Sequence, residues 1–233
     1  MLIAIEGVDG AGKTTQVNLL ADAFREAGAE VYLSSFPRYA DKIFGDLIRR
    51  YLSGDLGELH TVHPLFVALL FAGDRAAEAP ALRQALCEDK VVICDRYFYS
   101  NVAYQAARMN TEAEIAEFTQ WLRKLEFGHH ALPAPACSVY LDVHQEEREE
   151  RLLGRPGRDD GAVPNDIHER DMELQARAEQ VFRSQAEIHD DLIRIDCQQY
   201  GSLLSAQEVH ARVLRALTAR GLTASGPPRT VRI

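Results

Sequence analysis

The sequence lacks the features that mark membrane, nucleic-acid-binding and secreted proteins. Its 233 residues contain no uninterrupted apolar run near the roughly 20 residues that a membrane-spanning helix needs. The formal net charge is −9 at pH 7, so the chain has no general attraction for nucleic acid or for an anionic membrane. The segment Met1–Gly10 has no basic lead and no cleavage-like pattern, so we expect no secretory signal.

Cysteine is scarce, and the spacing of the cysteines argues against a zinc site. The chain has four, Cys87, Cys94, Cys137 and Cys197, and no C-x-x-C pair occurs. We interpret them as reduced thiols of a cytoplasmic protein. With 46% hydrophobic and 26% charged residues, the composition is that of an ordinary globular protein.

Short β-branched runs alternate with longer helical segments. We predict strands at 2–6, 30–35, 90–95, 138–143 and 192–196, and helices at 13–27, 40–53, 61–79, 79–88, 99–109, 112–127, 145–153, 166–189 and 205–220. Strands separated by helices favour βαβ crossovers. The pattern therefore predicts an α/β fold with a five-stranded parallel sheet flanked by helices. We expect one domain over 1–221 and a flexible tail at 222–233.

Residues 7–14 (GVDGAGKT) fit the phosphate-binding P-loop pattern G-x-x-x-x-G-K-[ST]. A predicted strand precedes them and a predicted helix follows, which disfavours a chance glycine-rich turn. Glycine lets backbone N–H groups approach phosphate closely, and the helix N-terminus favours an anion. Lys13 can reach the β- and γ-phosphates and Thr14 can hold Mg²⁺. The predicted ATP-binding residues are Gly7, Val8, Asp9, Gly10, Ala11, Gly12, Lys13, Thr14 and Thr15.

The segment after the fourth strand distinguishes a kinase from a nucleotide-dependent switch. We find no N-K-x-D element, which guanine-specific switches usually carry. Instead, Arg151, Arg155 and Arg158 surround a loop rich in glycine and proline. Arginines on a mobile lid, here about 151–165, can close over a transferring phosphate; a solvated charged loop is the alternative.

Three further clusters combine aromatic and charged residues. Asp95–Tyr97 ends the third predicted strand, where Asp95 can hold Mg²⁺ and Arg96 points to the same crevice; a structural Asp–Arg pair is the alternative. Phe36–Tyr39 leaves the second strand. Phe71 and Arg75 share one helix face, which suits a nucleobase but also fits a core residue beside a surface residue.

Together these clusters resemble the thymidylate kinase family. The matching stretches are EGVDGAGKTT (6–15), FPRY (36–39), LLFAGDR (69–75), DRYFYSNVAYQ (95–105) and HERD (168–171). The order and spacing carry the resemblance, which runs from residue 1 to about 215. It implies a P-loop NTPase fold of the nucleoside monophosphate kinase type with a mobile lid. It also implies transfer of the γ-phosphoryl group of ATP to dTMP, giving dTDP and ADP, in dTTP synthesis.

The resemblance also implies roles for the matching residues of a dTMP site. Phe71 would stack on thymine, Arg75 would donate to O4, Asn101 would bond N3, and Tyr104 would exclude a ribose 2′-hydroxyl. Asp9 would contact the sugar 3′-hydroxyl or the metal region. The acceptor phosphate would be bound by Arg38, Tyr39 and Arg96, with Phe36 packed nearby and Gln105 in the same pocket.

Catalysis and metal binding follow from the same resemblance. The implied catalytic residues are Lys13, Asp9, Arg96, Arg155 and Arg158, and the implied Mg²⁺ ligands are Thr14, Asp9, Asp95 and Glu169. None of the variable P-loop positions is basic, so the lid must supply the charge-neutralising arginine. A homodimer formed through helices such as 61–79 and 99–127 is also implied.

One position departs from the family pattern. His168 stands before Glu169, where close relatives carry tyrosine, so it either adds a pH-sensitive group near the sugar or is a surface histidine. Two other functions stay open at this point. One is a kinase of another nucleoside or nucleotide, differing at the base and sugar contacts; the other is a nucleotide-dependent switch without transfer chemistry.

Overall fold

The centre of the fold is a parallel five-stranded sheet. A computed structural model describes residues 1–144, 163 and 166–223. The strand order is β2-β3-β1-β4-β5, which confirms the predicted fold class. A short antiparallel hairpin, which the sequence did not predict, follows β5. The strands are β1 (Leu2–Glu6), β2 (Val31–Ser35), β3 (Val91–Asp95), β4 (Cys137–Asp142), β5 (Leu192–Asp196), β6 (Gln198–Gln199) and β7 (Ser202–Leu203).

Helices cover both faces of this sheet. Each described α-helix overlaps a segment predicted to be helical, and a π-helix, π1 (Lys124–His129), extends the fifth one. The α-helices are α1 (Lys13–Glu26), α2 (Phe44–Leu52), α3 (Pro64–Cys87), α4 (Phe98–Ala106), α5 (Glu112–Arg123), α6 (Ile167–Arg170), α7 (Met172–Ile188) and α8 (Ala206–Ala219).

Strand β1 shows why the sheet needs two layers of helices. All five of its residues are buried. Leu2 and Ala4 pack into the core formed with α2, α3, α4, α5 and α7, whereas Ile3 and Ile5 pack into the core formed with α1 and α8. Since successive side chains of a strand point to opposite faces, an apolar residue at every position requires a cover on each face.

The breaks between helices differ from the sequence prediction at two places. Helix α3 continues through Pro80, whereas the prediction divided this stretch into two helices, 61–79 and 79–88. Pro80 cannot donate to the carbonyl of the preceding turn, but Ala79, Leu82 and Ala85 are buried around it, so packing outweighs the lost bond. The predicted helix 166–189 is interrupted at Asp171, whose side chain accepts from the backbone N–H of Leu174 and caps α7.

Some predictions fall on parts of the chain outside the described residues. These are the helix at 145–153, the lid at 151–165 apart from Val163, and the tail from 224 onward. Of the predicted tail, Leu222 packs against the core formed with α1 and α8. Among the described residues, no helix combines the length and hydrophobicity that crossing a membrane requires.

The topology brings three sequence clusters to one edge of the sheet. The P-loop follows β1, Phe36–Tyr39 follows β2, and Arg96 follows β3. Because neighbouring parallel strands run in one direction, their carboxyl ends share an edge, which is where open α/β sheets bind ligands.

Candidate active site

A cavity of about 360 Å³ opens at the carboxyl edge of the sheet. The P-loop, the segment after β2, α3, the start of α4 and the short helix α6 all contribute to its wall. Many of the predicted site residues line it: Asp9, Lys13, Thr14, Phe36, Tyr39, Phe71, Arg75, Asp95, Arg96, Asn101, Tyr104, Gln105 and Glu169. The predicted lid arginines Arg155 and Arg158 lie outside the described residues.

The P-loop has the backbone conformation that its glycines predict. Gly7 has φ +148°, and a Cβ there would lie 3.1 Å from the carbonyl oxygen of Leu141. Gly12 has φ +87° and caps α1 in the left-handed region, which disfavours residues with a Cβ. The ammonium of Lys13 donates to the carbonyl oxygen of Val8 at 2.9 Å. A glycine-rich loop that leads into a helix N-terminus, as this one does, is an arrangement that can bind phosphate.

Asp9 is the centre of a buried polar network. It accepts hydrogen bonds from the Arg96 guanidinium, from the Tyr104 hydroxyl at 2.7 Å and from Nε2 of Gln175 at 2.9 Å. Burial opposes ionisation of Asp9, but Arg96, Lys13 and these hydrogen bonds together hold its pKa well below the usual range. Asp9 therefore stays ionised, and it holds Arg96 and Tyr104 in fixed positions at the wall of the cavity.

Arg96 lies at a strained position of the backbone. Its φ is +66°, which is uncommon for a residue with a side chain. Its backbone N–H donates to Ile5 and its guanidinium donates to the carbonyl oxygen of Gly7 at 3.0 Å, to the Ser100 hydroxyl and to Asp9. The ion-pair partner of Arg96 is therefore Asp9. The alternative interpretation of the sequence, a structural pair between Arg96 and the adjacent Asp95, is wrong. Strained residues held by such contacts cluster at functional sites.

Thr14 and Asp95 offer a place for a hard cation. The Thr14 hydroxyl donates to Oδ2 of Asp95 at 2.7 Å, and both residues line the cavity beside Lys13. Hydroxyl and carboxylate oxygens are the ligand types that Mg²⁺ prefers, and Mg²⁺ usually takes its remaining ligands from water and substrate phosphate. The pair therefore fits Mg²⁺ in chemistry. Glu169 lines the same cavity.

The predicted base-reading residues are joined by a residue that the sequence analysis missed. Arg75 is 2% exposed and pairs through Nε and Nη2 with the carboxylate of Glu126 in π1. The amide Nδ2 of Asn101 donates to the carbonyl oxygen of Ala68 at 3.0 Å and to Glu126 at 3.2 Å. The amide Oδ1 of Asn101 is buried and has no partner among the described residues. Phe71 lines the cavity on the same helix as Arg75.

Arg38 is placed differently from the other predicted phosphate ligands. It does not line the cavity; its guanidinium bonds the carboxylates of Asp74 and Glu78, at 3.1 and 2.7 Å. Gln105 is completely buried, and neither atom of its amide has a hydrogen-bond partner among the described residues. Tyr39 and Phe36 line the cavity at the end of β2.

His168 is not the surface histidine that the sequence analysis considered. It is 5% exposed, and its ring stacks on Tyr104 with centroids 5.3 Å apart and planes at 8°. Its Nε2 lies 3.0 Å from the hydroxyl of Tyr51. Burial lowers the pKa of His168 to about 3, so the ring is neutral and does not act as a switch near pH 7. The surface interpretation is wrong because α6 turns this residue inward.

Three further residues contact the predicted site residues, although none of the three lies in a sequence motif: Gln175, Tyr51 and Glu126. Their only sequence signal was a polar or aromatic residue on a helical segment. Each is separated by tens of residues from the side chain that it contacts.

Comparisons with known proteins show which family the chain belongs to. The sequence model of the thymidylate kinase family matches residues 5–204. A thymidylate kinase of Mycobacterium tuberculosis is 45% identical over 184 residues, which cover 78% of this chain and 84% of that protein. A probable thymidylate kinase of Pyrococcus horikoshii is 33% identical over 217 residues, covering 91% of this chain and 93% of that protein.

A solved structure supports the fold independently. The thymidylate kinase of Candida albicans has a TM-score of 0.72 and 22% identity, covering 95% of this chain and 92% of that chain. From the family model and these relatives, we conclude that the chain belongs to the thymidylate kinase family, the ATP-dependent phosphotransferases that convert dTMP to dTDP.

Proposed function

We propose that the chain transfers the γ-phosphoryl group of ATP to dTMP at the cavity beside the P-loop. The observation that carries this assignment is one cavity lined both by P-loop residues and by groups complementary to thymine. Arg75 supplies N–H donors, and Asn101 supplies a buried acceptor without a protein partner. Thymine offers the matching pattern, a carbonyl at position 4 and an N–H at position 3.

The remaining proposed contacts are with the base ring, the deoxyribose and the acceptor phosphate of the nucleotide. Phe71 stacks on the base, and Tyr104, held between Asp9 and His168, packs against C2′ and leaves no room for a ribose hydroxyl. Asp9 contacts the 3′-hydroxyl or the metal region. Arg96 and Tyr39 bind the acceptor phosphate, with Phe36 and Gln105 packed nearby. Arg38 reaches that phosphate only by exchanging a contact with Asp74 or Glu78.

The chemistry needs little acid–base catalysis from the protein. An anionic phosphate oxygen of dTMP attacks the γ-phosphorus, the bond from that phosphorus to the bridging β–γ oxygen breaks, and ADP leaves with the electron pair. Lys13, Arg96 and the lid arginines Arg155 and Arg158 align the two nucleotides and neutralise the charge.

Mg²⁺ is the metal whose chemistry suits this site. Thr14 and Asp95 would hold it, with Asp9 and Glu169 as further oxygen donors nearby. Bound there, Mg²⁺ would neutralise phosphate charge and orient the γ-phosphoryl group. Thr14 and Asp95 are preorganised for this role by their mutual hydrogen bond.

We also propose that the chain forms a homodimer in the cytoplasm. Leu65, Phe66 and Leu69 leave a large apolar area on the outer face of α3, where Phe66 is 66% exposed, and such patches mark contact surfaces. All four cysteines are free, which suits a reducing compartment. Analytical ultracentrifugation of the wild type and of Phe66→Glu tests the dimer: a wild-type monomer at micromolar concentration would contradict it.

The test of the proposed reaction is ADP release with ATP and Mg²⁺ against a panel of acceptors. We expect release with dTMP, slower release with dUMP, and near-background release with UMP, dCMP, AMP, GMP and thymidine. The thymine methyl group is worth only about 1–3 kcal/mol of discrimination, so dUMP is slower and not excluded. Preference for another acceptor would assign a different nucleotide kinase, and release without any acceptor would favour a switch.

A further inference from the structure

Glu126 is a fully buried carboxylate that the proposed mechanism does not use. It lies in π1 and is 0% exposed, and it is not among the residues that line the cavity. Burying a carboxylate is costly unless its oxygens are hydrogen-bonded. Both partners that offset this cost, Arg75 and Asn101, are base-reading residues of the proposed site. Short π-helical segments occur frequently at functional sites.

The contact with Arg75 decides which of its donors remain for a ligand. Glu126 accepts from Nε at 2.7 Å and from Nη2, so the carboxylate occupies one edge of the guanidinium. Such bidentate pairing fixes the plane of the guanidinium as well as its position. Among the described residues, Nη1 has no hydrogen-bond partner, and Arg75 lines the cavity. Arg75 therefore presents a donor there.

The contact with Asn101 decides which end of its amide faces the ligand. Two acceptors, Glu126 and the carbonyl oxygen of Ala68, surround the amide nitrogen. Turning the amide over would place its oxygen against both of them, with no hydrogen between. The nitrogen is thus held on the protein side, and Oδ1 is left buried and unpaired. Asn101 therefore presents an acceptor.

We propose that Glu126 is a positioning residue that fixes the donor–acceptor polarity of the pair Arg75 and Asn101, and so selects acceptor nucleotides with a 4-oxo pyrimidine base. This inference rests on the proposed function. A 4-oxo base offers O4 and N3–H, which match the pair. A 4-amino base offers an amino group and a bare N3, which would face the Arg75 donor and the Asn101 acceptor with the wrong polarity. A buried polar group left unpaired in this way costs binding.

The variant Glu126→Gln tests this assignment with little change in volume. Its amide keeps one acceptor and replaces the other with an NH2 group, which must face a donor of Arg75 or of Asn101. The base-reading pair then loses its fixed polarity. The probes are dTMP, dUMP and 5-methyl-dCMP, because the last differs from dTMP only in the groups at positions 3 and 4.

We expect the ratio of kcat/KM for dTMP to that for 5-methyl-dCMP to fall by about tenfold or more in Glu126→Gln. The ratio for dTMP to dUMP should stay unchanged, because the two nucleotides offer the same O4 and N3–H and differ only in the methyl group. Glu117→Gln, an exposed change of the same chemistry on α5, should leave both ratios unchanged.

An equal loss of kcat/KM for all three nucleotides, with both ratios intact, would mean that Glu126 only supports the fold and would overturn the inference. If Glu126→Gln does not fold, Glu126→Asp tests the inference in its place. The shorter carboxylate keeps the charge opposite Arg75 but withdraws from Asn101, so the first ratio should still fall; an unchanged ratio refutes the inference. A wild type without dTMP-dependent ADP release would instead overturn the proposed function, and this inference with it.

Discussion

Replacing Tyr104 by phenylalanine and by alanine separates the contacts of its hydroxyl from those of its ring. The hydroxyl donates to Oδ2 of Asp9 at 2.7 Å, and the ring stacks on His168. Tyr104→Phe removes only the hydroxyl. Tyr104→Ala removes the ring as well, and with it the surface that we place against C2′ of the acceptor sugar.

The structure sets the expected size of each effect. A hydrogen bond to a charged group contributes about 1.5–3 kcal/mol. Since Oδ2 of Asp9 also accepts from Gln175 at 2.9 Å, we expect the free energy of unfolding of Tyr104→Phe to fall by about 1.5 kcal/mol, the lower end of that range. Tyr104 is 6% exposed, so losing its ring should cost about 3–5 kcal/mol, as for other large aromatic truncations in a core.

The assay compares dTMP with its ribose counterpart, which differs only by the 2′-hydroxyl. We expect Tyr104→Phe to keep the wild-type ratio of kcat/KM values and Tyr104→Ala to lower it by about tenfold or more. Urea unfolding of the same proteins checks the stabilities. A loss of sugar discrimination in Tyr104→Phe as large as in Tyr104→Ala would refute the steric argument, and an unchanged ratio in Tyr104→Ala would remove Tyr104 from sugar selection.

Four further changes test other parts of the site and of the fold. Lys13→Ala should lower kcat by about a hundredfold or more with an unchanged circular dichroism spectrum, and near-normal turnover would refute the P-loop assignment. Arg155→Ala should lower kcat more than it raises KM for dTMP; an unchanged kcat would move the role to another lid arginine. Gly45→Ala should destabilise the fold by about 1–3 kcal/mol in urea unfolding, because the new Cβ would collide with the carbonyl oxygen of Arg38; equal stability would contradict that packing. Asp9 has a folded-state pKa below its unfolded value, so its stabilisation is present above about pH 4 and is lost as pH falls through the folded pKa. Asp9→Asn should therefore show a shallower loss of stability below about pH 4 than the wild type, and parallel profiles would argue against the shift.

The fold was predictable because its signals are local. Each buried strand is a short apolar run, and the P-loop combines a motif with its expected strand and helix. Pro80 shows where local rules fail. Proline breaks an isolated helix. Here its neighbours Ala79 and Leu82 are buried in the core, and a rule based on the local sequence does not take that packing into account.

The sequence predicts only those site residues that lie in a motif and that are proposed to contact the substrate. Asn101 and Arg75 lie in such motifs. Glu126, which orients both of them, is a single glutamate in the segment KLEFGH. The sequence alone predicts a solvent-exposed charge at this position. His168 shows the same limit, because its burial depends on packing against Tyr51 and Tyr104, which lie far away in the chain.

The most direct test of the central claim follows the labelled phosphate. The wild-type protein is mixed with dTMP, Mg²⁺ and ATP labelled at the γ-phosphorus, and the products are separated by chromatography. The account predicts that the label appears in dTDP in equal amount to the ADP formed. Label in inorganic phosphate, with dTMP unchanged, would show hydrolysis without transfer and would contradict the account.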